Sequence, residues 1–156
     1  MNILVLCTGN SARSILLEAL LNRADRISAF SAGSQPAGRV HPGALRLLAR
    51  DGFPTAGLPS KSWDEFASGP PMDTVITVCG NAAQEVCPIW PGAPVKGHWG
   101  VDDPAIDGSD DQVDAAFSMA YKILQTRADA FINALPWTMN IDDMKNLVHK
   151  IGGDNQ

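Results

Sequence analysis

The 156-residue chain lacks a cluster of basic residues and lacks any long apolar run. The chain has 12 lysines and arginines and 17 acidic residues, which gives a net charge of −5. A nucleic-acid partner is therefore not expected. No apolar stretch is long enough to cross a bilayer, and the amino terminus resembles a strand and not a signal peptide. We therefore expect one compact domain in the cytoplasm, with no membrane partner.

Cysteine is also scarce: there are three, and no Cys-x-x-Cys spacing occurs. An odd number does not make a structural disulfide framework, so these thiols are expected to be catalytic, redox-active or simply buried. A zinc site from Cys79, Cys87 and His98 is a further alternative, which the missing spacing disfavours. The absence of Gly-Lys-Ser/Thr and of Gly-x-Gly-x-x-Gly excludes a Walker A loop and a dinucleotide fingerprint.

Residues 7–14 stand between two apolar runs and read Cys-Thr-Gly-Asn-Ser-Ala-Arg-Ser. The layout predicts a strand, a tight loop and a helix, and amides at a helix N-terminus bind anions. The same field favours a thiolate at Cys7, and Arg13 can hold two oxyanion oxygens at once. A buried, inert cysteine is the alternative. The residues predicted to bind the oxyanion are Thr8, Gly9, Asn10, Ser11, Ala12 and Arg13.

Predicted strands alternate with predicted helices, which indicates a parallel sheet covered by helices. Apolar residues at helical spacing continue along one long helix to Leu135, and a terminal helix is expected to bury Ile141. The predicted strands cover about residues 2–6, 26–31, 73–78 and 94–99, and the predicted helices about residues 13–23, 42–50, 109–135 and 141–151.

Two further motifs follow later strands. Cys79 ends the third strand, which places it at the same sheet edge as Cys7, and Cys87 comes after a predicted loop. A disulfide between Cys7 and Cys79 requires Cα atoms within about 7 Å. The sequence Asp102-Asp103-Pro104 follows the last strand, where a carboxyl group can protonate a leaving oxygen or can simply belong to a solvated turn.

Three blocks together resemble the low-molecular-weight protein tyrosine phosphatase superfamily, and within it the arsenate reductases of the ArsC type. The blocks are residues 7–14, 78–83 and 98–105. The resemblance implies an α/β fold with three α-β-α layers around a four-stranded parallel sheet. It also implies a catalytic domain over residues 1–135, with residues 136–156 as a helical C-terminal extension of the same domain.

The resemblance implies that the substrate is arsenate and the product arsenite. Cys7 would be the nucleophile that attacks arsenic, while Arg13 and the loop amides would hold the oxyanion. Ser14 would hydrogen-bond the Cys7 thiolate, and Asp103 would protonate the leaving hydroxyl. No tightly bound cofactor is implied, although some relatives bind potassium. The positions that resemble the potassium ligands are Asn10, Glu18, Ser31 and Asp64.

A disulfide relay is implied as well. Cys79 would attack the Cys7–arsenic adduct, and Cys87 would pass the resulting disulfide to an external reductant. One extra residue between Cys79 and Cys87, relative to thioredoxin-coupled reductases, leaves the reductant open between thioredoxin and glutathione with glutaredoxin. It also leaves open whether Cys87 is the relay thiol.

A phosphatase acting on phosphotyrosine or small phosphoesters is the alternative function, because it would need only Cys7, Arg13 and Asp103. The phosphatases usually place a tyrosine shortly after the Asp-Pro pair, where this chain has Ala105-Ile106. A phosphatase also has no use for Cys79 and Cys87. A non-catalytic oxyanion-binding module is a third reading, which the joint presence of nucleophile, arginine and acid disfavours.

Overall fold

A computed structural model describes residues 1–84, 88–92 and 94–153. Four parallel strands form one sheet in the order β2-β1-β3-β4, which confirms the predicted α/β class and four-stranded parallel sheet. No helix in these ranges is long and apolar enough to cross a membrane. The strands are β1 (Asn2–Cys7), β2 (Ser28–Gly33), β3 (Thr74–Thr77) and β4 (Val95–His98), and the helices are α1 (Arg13–Leu21), α2 (Pro42–Arg50), α3 (Gly80–Gln84), α4 (Asp110–Asn133) and α5 (Ile141–Gly153), with short 3-10 turns at Trp63–Phe66 and Pro136–Thr138.

Strand β1 is buried on both faces, as a central parallel strand should be. Ile3 and Val5 point into the larger core, which the main helices cover. Leu4 and Leu6 point to the opposite face, into a smaller core around Trp90. Because both faces of β1 are packed, its carboxyl end and the loop that follows rest on a rigid base.

Helix α4 begins where the sequence predicts, at a capping box formed by Ser109 and Gln112. The predicted burial of two apolar residues beyond its end is wrong. Leu135 is half-exposed because it lies beyond the helix, in the left-handed backbone region. Ile141 is exposed because it is the first residue of α5, one turn before the buried stripe begins. The predicted α4 residues that do enter the core are Val113, Phe117, Ala120, Leu124 and Phe131.

Helix α5 packs directly on strand β4. The indole Nε1 of Trp99 donates to the carbonyl of Val148 (3.0 Å), and His149 Nε2 lies 3.0 Å from the carbonyl oxygen of Lys96. A Cβ at Gly97 would collide with the Val148 side chain, so the strand needs glycine where the helix crosses it. The C-terminal helix therefore covers the β4 side of the sheet.

The segment after Cys79 differs from the prediction. A loop was expected there, whereas Gly80–Gln84 form the short helix α3. Its small residues, Ala82 among them, let the turn pack into the larger core. The predicted relay residue Cys87 lies outside the described residues, and its position stays a prediction.

Candidate active site

The loop between β1 and α1 lies at the carboxyl end of the sheet. The carbonyl oxygens of Thr8, Gly9 and Ser11 accept backbone hydrogen bonds from the segment that joins β2 to α2. A trans peptide directs its N–H opposite to its C=O. The amides of Gly9, Asn10 and Ala12 therefore face the loop interior, where a concave set of N–H groups binds an oxyanion.

The side chain of Asn10 holds this loop from behind. It is fully buried, and its backbone takes the left-handed conformation (φ 45°) that asparagine tolerates. Its Nδ2 donates to Ser14 Oγ and Ser31 Oγ, each at 2.9 Å, while its Oδ1 accepts from the Lys61 N–H at 2.7 Å. Ser14, predicted to bond the Cys7 thiolate, thus has Asn10 as its side-chain partner, and its role toward Cys7 stays a prediction.

Arg13 and Asp103 lie at the mouth of the loop. Arg13 Nη1 donates to the Val101 carbonyl (2.9 Å), and Nη2 lies 3.6 Å from Asp103 Oδ2. Within the described part of the chain, the buried Arg13 Nε has no hydrogen-bond partner. An unpaired buried donor is costly, and an oxyanion held by the loop would satisfy it. The Asp103 side chain is 58% exposed, so its carboxyl group can reach a bound ligand.

Arg127 is a residue that the sequence interpretation missed. It is only 2% exposed, and its Nη1 donates to the Gly100 carbonyl at 2.8 Å. Arg127 and Arg13 thus donate to the carbonyls of Gly100 and Val101, two consecutive residues of the segment that leads to Asp103. Burial lowers the pKa of Arg127. The sequence did carry a signal for the burial of Arg127, because residue 127 stands three positions after Leu124 on the same buried stripe of the helix.

Cys7 and Cys79 are buried free thiols at the ends of adjacent strands. Their side chains share a hydrogen bond, which lowers the pKa of Cys79 to about 5. The same bond, with burial, raises the pKa of Cys7, and Arg13 opposes that rise. Thr8 Oγ1, 3.6 Å from Cys79 Sγ, also favours the Cys79 thiolate. These contacts favour the thiolate on Cys79 over the thiolate on Cys7, in contrast to the sequence-based expectation of a Cys7 thiolate.

We predict that the thiol pair loses one proton in mildly acidic solution. The far-ultraviolet thiolate absorbance of the wild type should rise in a step centred near pH 5, because the pKa of Cys79 is lowered to about 5. Cys79→Ser should lose this step, and its Cys7 should titrate at lower pH than in the wild type, because the hydrogen bond that most raises the Cys7 pKa is gone. Cys87→Ser is the matched control and should keep the step. A wild type with no step below neutral pH would contradict the assignment.

The positions that resemble potassium ligands are only partly brought together. Asn10 donates to Ser31, and the Ser31 hydroxyl donates to Glu18 Oε2. Lys61 Nζ lies 4.0 Å from the same carboxylate oxygen. Asp64 is exposed in the 3-10 turn, and its carboxylate is not among the contacts of this cluster. In the residues that the structure describes, no group of three or more His, Cys, Asp or Glu side chains is placed to hold a metal ion.

A cleft of about 590 Å³ opens between the segment that carries Asp103 and helix α4. Asp103 and Arg127 line it together with Gly80, the first residue after Cys79. Its wall also carries three exposed apolar side chains, Ile106, Met119 and Ile123. The position after the Asp-Pro pair thus presents an aliphatic side chain and no aromatic ring.

The chain is similar to known proteins in both sequence and fold. A family model described as low molecular weight phosphotyrosine protein phosphatase matches residues 2–140. An arsenate reductase from Halalkalibacterium halodurans is 36% identical over 115 residues, which are 72% of this chain and 81% of that protein. A solved arsenate reductase in a phosphate-binding state has a TM-score of 0.69 at 25% identity, over 85% of this chain and 97% of that one. The tyrosine phosphatase Wzb from Escherichia coli K30, in complex with sulphate, shares the fold with a TM-score of 0.68 at 21% identity, over 86% of this chain and 97% of that one.

Proposed function

The chain belongs to the low molecular weight phosphotyrosine protein phosphatase family, and we propose that it works there as an arsenate reductase. The placement of two buried free thiols, Cys7 and Cys79, at the carboxyl ends of adjacent strands carries the proposal. Ester hydrolysis on this scaffold needs one nucleophile, whereas reduction of arsenic from the +5 to the +3 state needs two electrons. Two neighbouring thiols supply those electrons by forming one disulfide.

In the first step the loop amides and Arg13 Nε hold the tetrahedral arsenate. The Cys7 proton passes along the S–H···S bond to Cys79, and Cys7 Sγ attacks arsenic. A sulfur–arsenic bond forms as an arsenic–oxygen bond breaks, and Asp103 protonates the oxygen so that it leaves as water. Arsenic remains in the +5 state, now bound to Cys7.

In the second step Cys79 completes the reduction. It loses its proton to water, helped by the hydrogen bonds that the Ala82 N–H and the Thr8 hydroxyl give its thiolate, and attacks Cys7 Sγ. The sulfur–arsenic bond breaks and its electron pair stays on arsenic, which leaves as arsenite. The Cys7–Cys79 disulfide then accounts for both electrons.

The relay and the reductant complete the cycle. Cys87 attacks Cys79, forms a Cys79–Cys87 disulfide and frees Cys7, after which thioredoxin, or glutathione with glutaredoxin, reduces that disulfide. The exposed apolar wall formed by Ile106, Met119 and Ile123 offers a docking surface next to the site. A cycle that must be re-reduced at each turnover belongs in a reducing compartment such as the cytoplasm.

The decisive experiment is an arsenate-dependent turnover assay that compares thioredoxin and its reductase with glutathione and glutaredoxin. We expect one of the two systems to support continuous turnover. With no reductant, a single addition of arsenate should consume two thiols per protein. No arsenate-dependent loss of thiols, combined with steady hydrolysis of an aryl phosphate, would overturn the proposal.

Phosphatase activity is the second candidate, because Cys7, Arg13 and Asp103 suffice for ester hydrolysis. The cleft disfavours phosphotyrosine as the main substrate, since Ile106 stands where an aromatic wall would be. We therefore expect weak hydrolysis of small aryl phosphates as a side activity of the same loop.

A further inference from the structure

The cluster behind the oxyanion loop contains a single carboxylate. Glu18 accepts from Ser31, and Ser31 in turn accepts from Asn10, the residue that shapes the loop. The Glu18 side chain is only 22% exposed and that of Lys61 only 17% exposed. Hydrogen bonds thus run from this carboxylate through two buried polar side chains to the oxyanion loop.

Lys61 is tied to the same cluster at two points. Its backbone N–H donates to Asn10 Oδ1 at 2.7 Å, and its ammonium nitrogen lies 4.0 Å from Glu18 Oε2. The Lys61 carbonyl accepts from the Gly33 N–H at 2.9 Å, which anchors the residue to the end of β2. The Lys61 backbone is therefore held on both sides, at a point from which the ammonium group reaches Glu18.

A potassium ion does not fit these residues. An ion bound by Asn10, Ser31 and Glu18 would share its one carboxylate with the Lys61 ammonium, and two cations would face one negative charge. Water screens such repulsion poorly in a mostly buried site. A second carboxylate would be needed to balance the charge, and Asp64 is exposed outside the cluster.

We propose that the Lys61 ammonium is a built-in cation that replaces potassium behind the oxyanion loop. It neutralises Glu18, which keeps Ser31 and then Asn10 in the orientations that hold the loop amides inward. Lys61 does not touch the bound anion, so it is a positioning residue. Burial raises the pKa of Glu18, and the hydrogen bond from Ser31 and the charge of Lys61 counter it, in keeping with this role.

The test measures binding of inorganic phosphate by calorimetry in potassium chloride and in choline chloride of equal ionic strength. The wild type should bind phosphate equally in both salts. Lys61→Met keeps the backbone N–H and the chain length but removes the charge. It should bind about tenfold more weakly in choline, a typical size for loss of an outer-shell partner, and should regain affinity in potassium.

Two variants serve as controls. Lys61→Arg, the conservative change, should behave as the wild type, and so should Lys122→Met, which removes an exposed lysine of α4. Potassium-dependent phosphate binding by the wild type would overturn the proposal, as would unaltered binding by Lys61→Met in choline. Should Lys61→Met fail to fold, the wild-type comparison of the two salts still decides. Phosphate binding is measured without turnover, so the result is independent of whether the protein reduces arsenate.

Discussion

Replacement of Cys79 by serine should abolish arsenate reduction and leave aryl-phosphate hydrolysis in place. The variant keeps Cys7, Arg13 and Asp103, so the loop still binds an oxyanion and the first bond to sulfur still forms. It lacks the thiol that breaks the sulfur–arsenic bond, and the cycle stops there. Steady-state assays of both activities on the same preparation measure the separation.

The Cys87→Ser variant is the matched control for this experiment. If Cys87 is the relay thiol, arsenate without reductant should leave a Cys7–Cys79 disulfide in this variant, located by peptide mapping. Normal turnover of Cys87→Ser with glutathione and glutaredoxin would exclude the relay role while leaving the reductase intact. Equal loss of both activities in Cys79→Ser would instead contradict the assigned role of Cys79.

The Asp103→Asn variant should slow formation of the Cys7–arsenic adduct by about 10²–10⁴-fold, the usual contribution of a general acid. An amide cannot donate the proton that turns the leaving oxygen into water. Oxyanion affinity should remain close to that of the wild type, because the substitution leaves in place Arg13, its unpaired Nε and its hydrogen bond to the Val101 carbonyl. Single-turnover kinetics with arsenate, together with phosphate binding, separate the two quantities.

Asp102→Asn provides the matched control, because Asp102 is an exposed neighbour on the same segment. It lacks the 3.6 Å approach to Arg13 that distinguishes Asp103. A large loss in Asp102→Asn with little change in Asp103→Asn would mean that the acid has been assigned to the wrong residue.

Local patterns in the sequence were sufficient for the architecture. The apolar run before Cys7 and the β-branched run before Cys79 predicted parallel strands that end at the same edge of the sheet, and Ser109 with Gln112 predicted the start of the long helix. The errors lie at element ends. Leu135 and Ile141 continue an apolar spacing, but the chain leaves the helix between them, and periodicity carries no information on where a helix stops packing.

The sequence by itself determined the fold class, the strand–loop–helix that presents a thiol and an arginine, and the sheet edge where later motifs converge, because each strand and helix is signalled by a residue pattern within its own short segment. Tertiary structure brought Cys7 and Cys79 close enough to shift each other's pKa in opposite directions. It also brought Arg127 beneath the acid-bearing segment and placed Lys61, not Asp64, beside Glu18. Charge and hydrogen bonding act through space over a few ångströms, so such roles emerge only once distant segments are packed together.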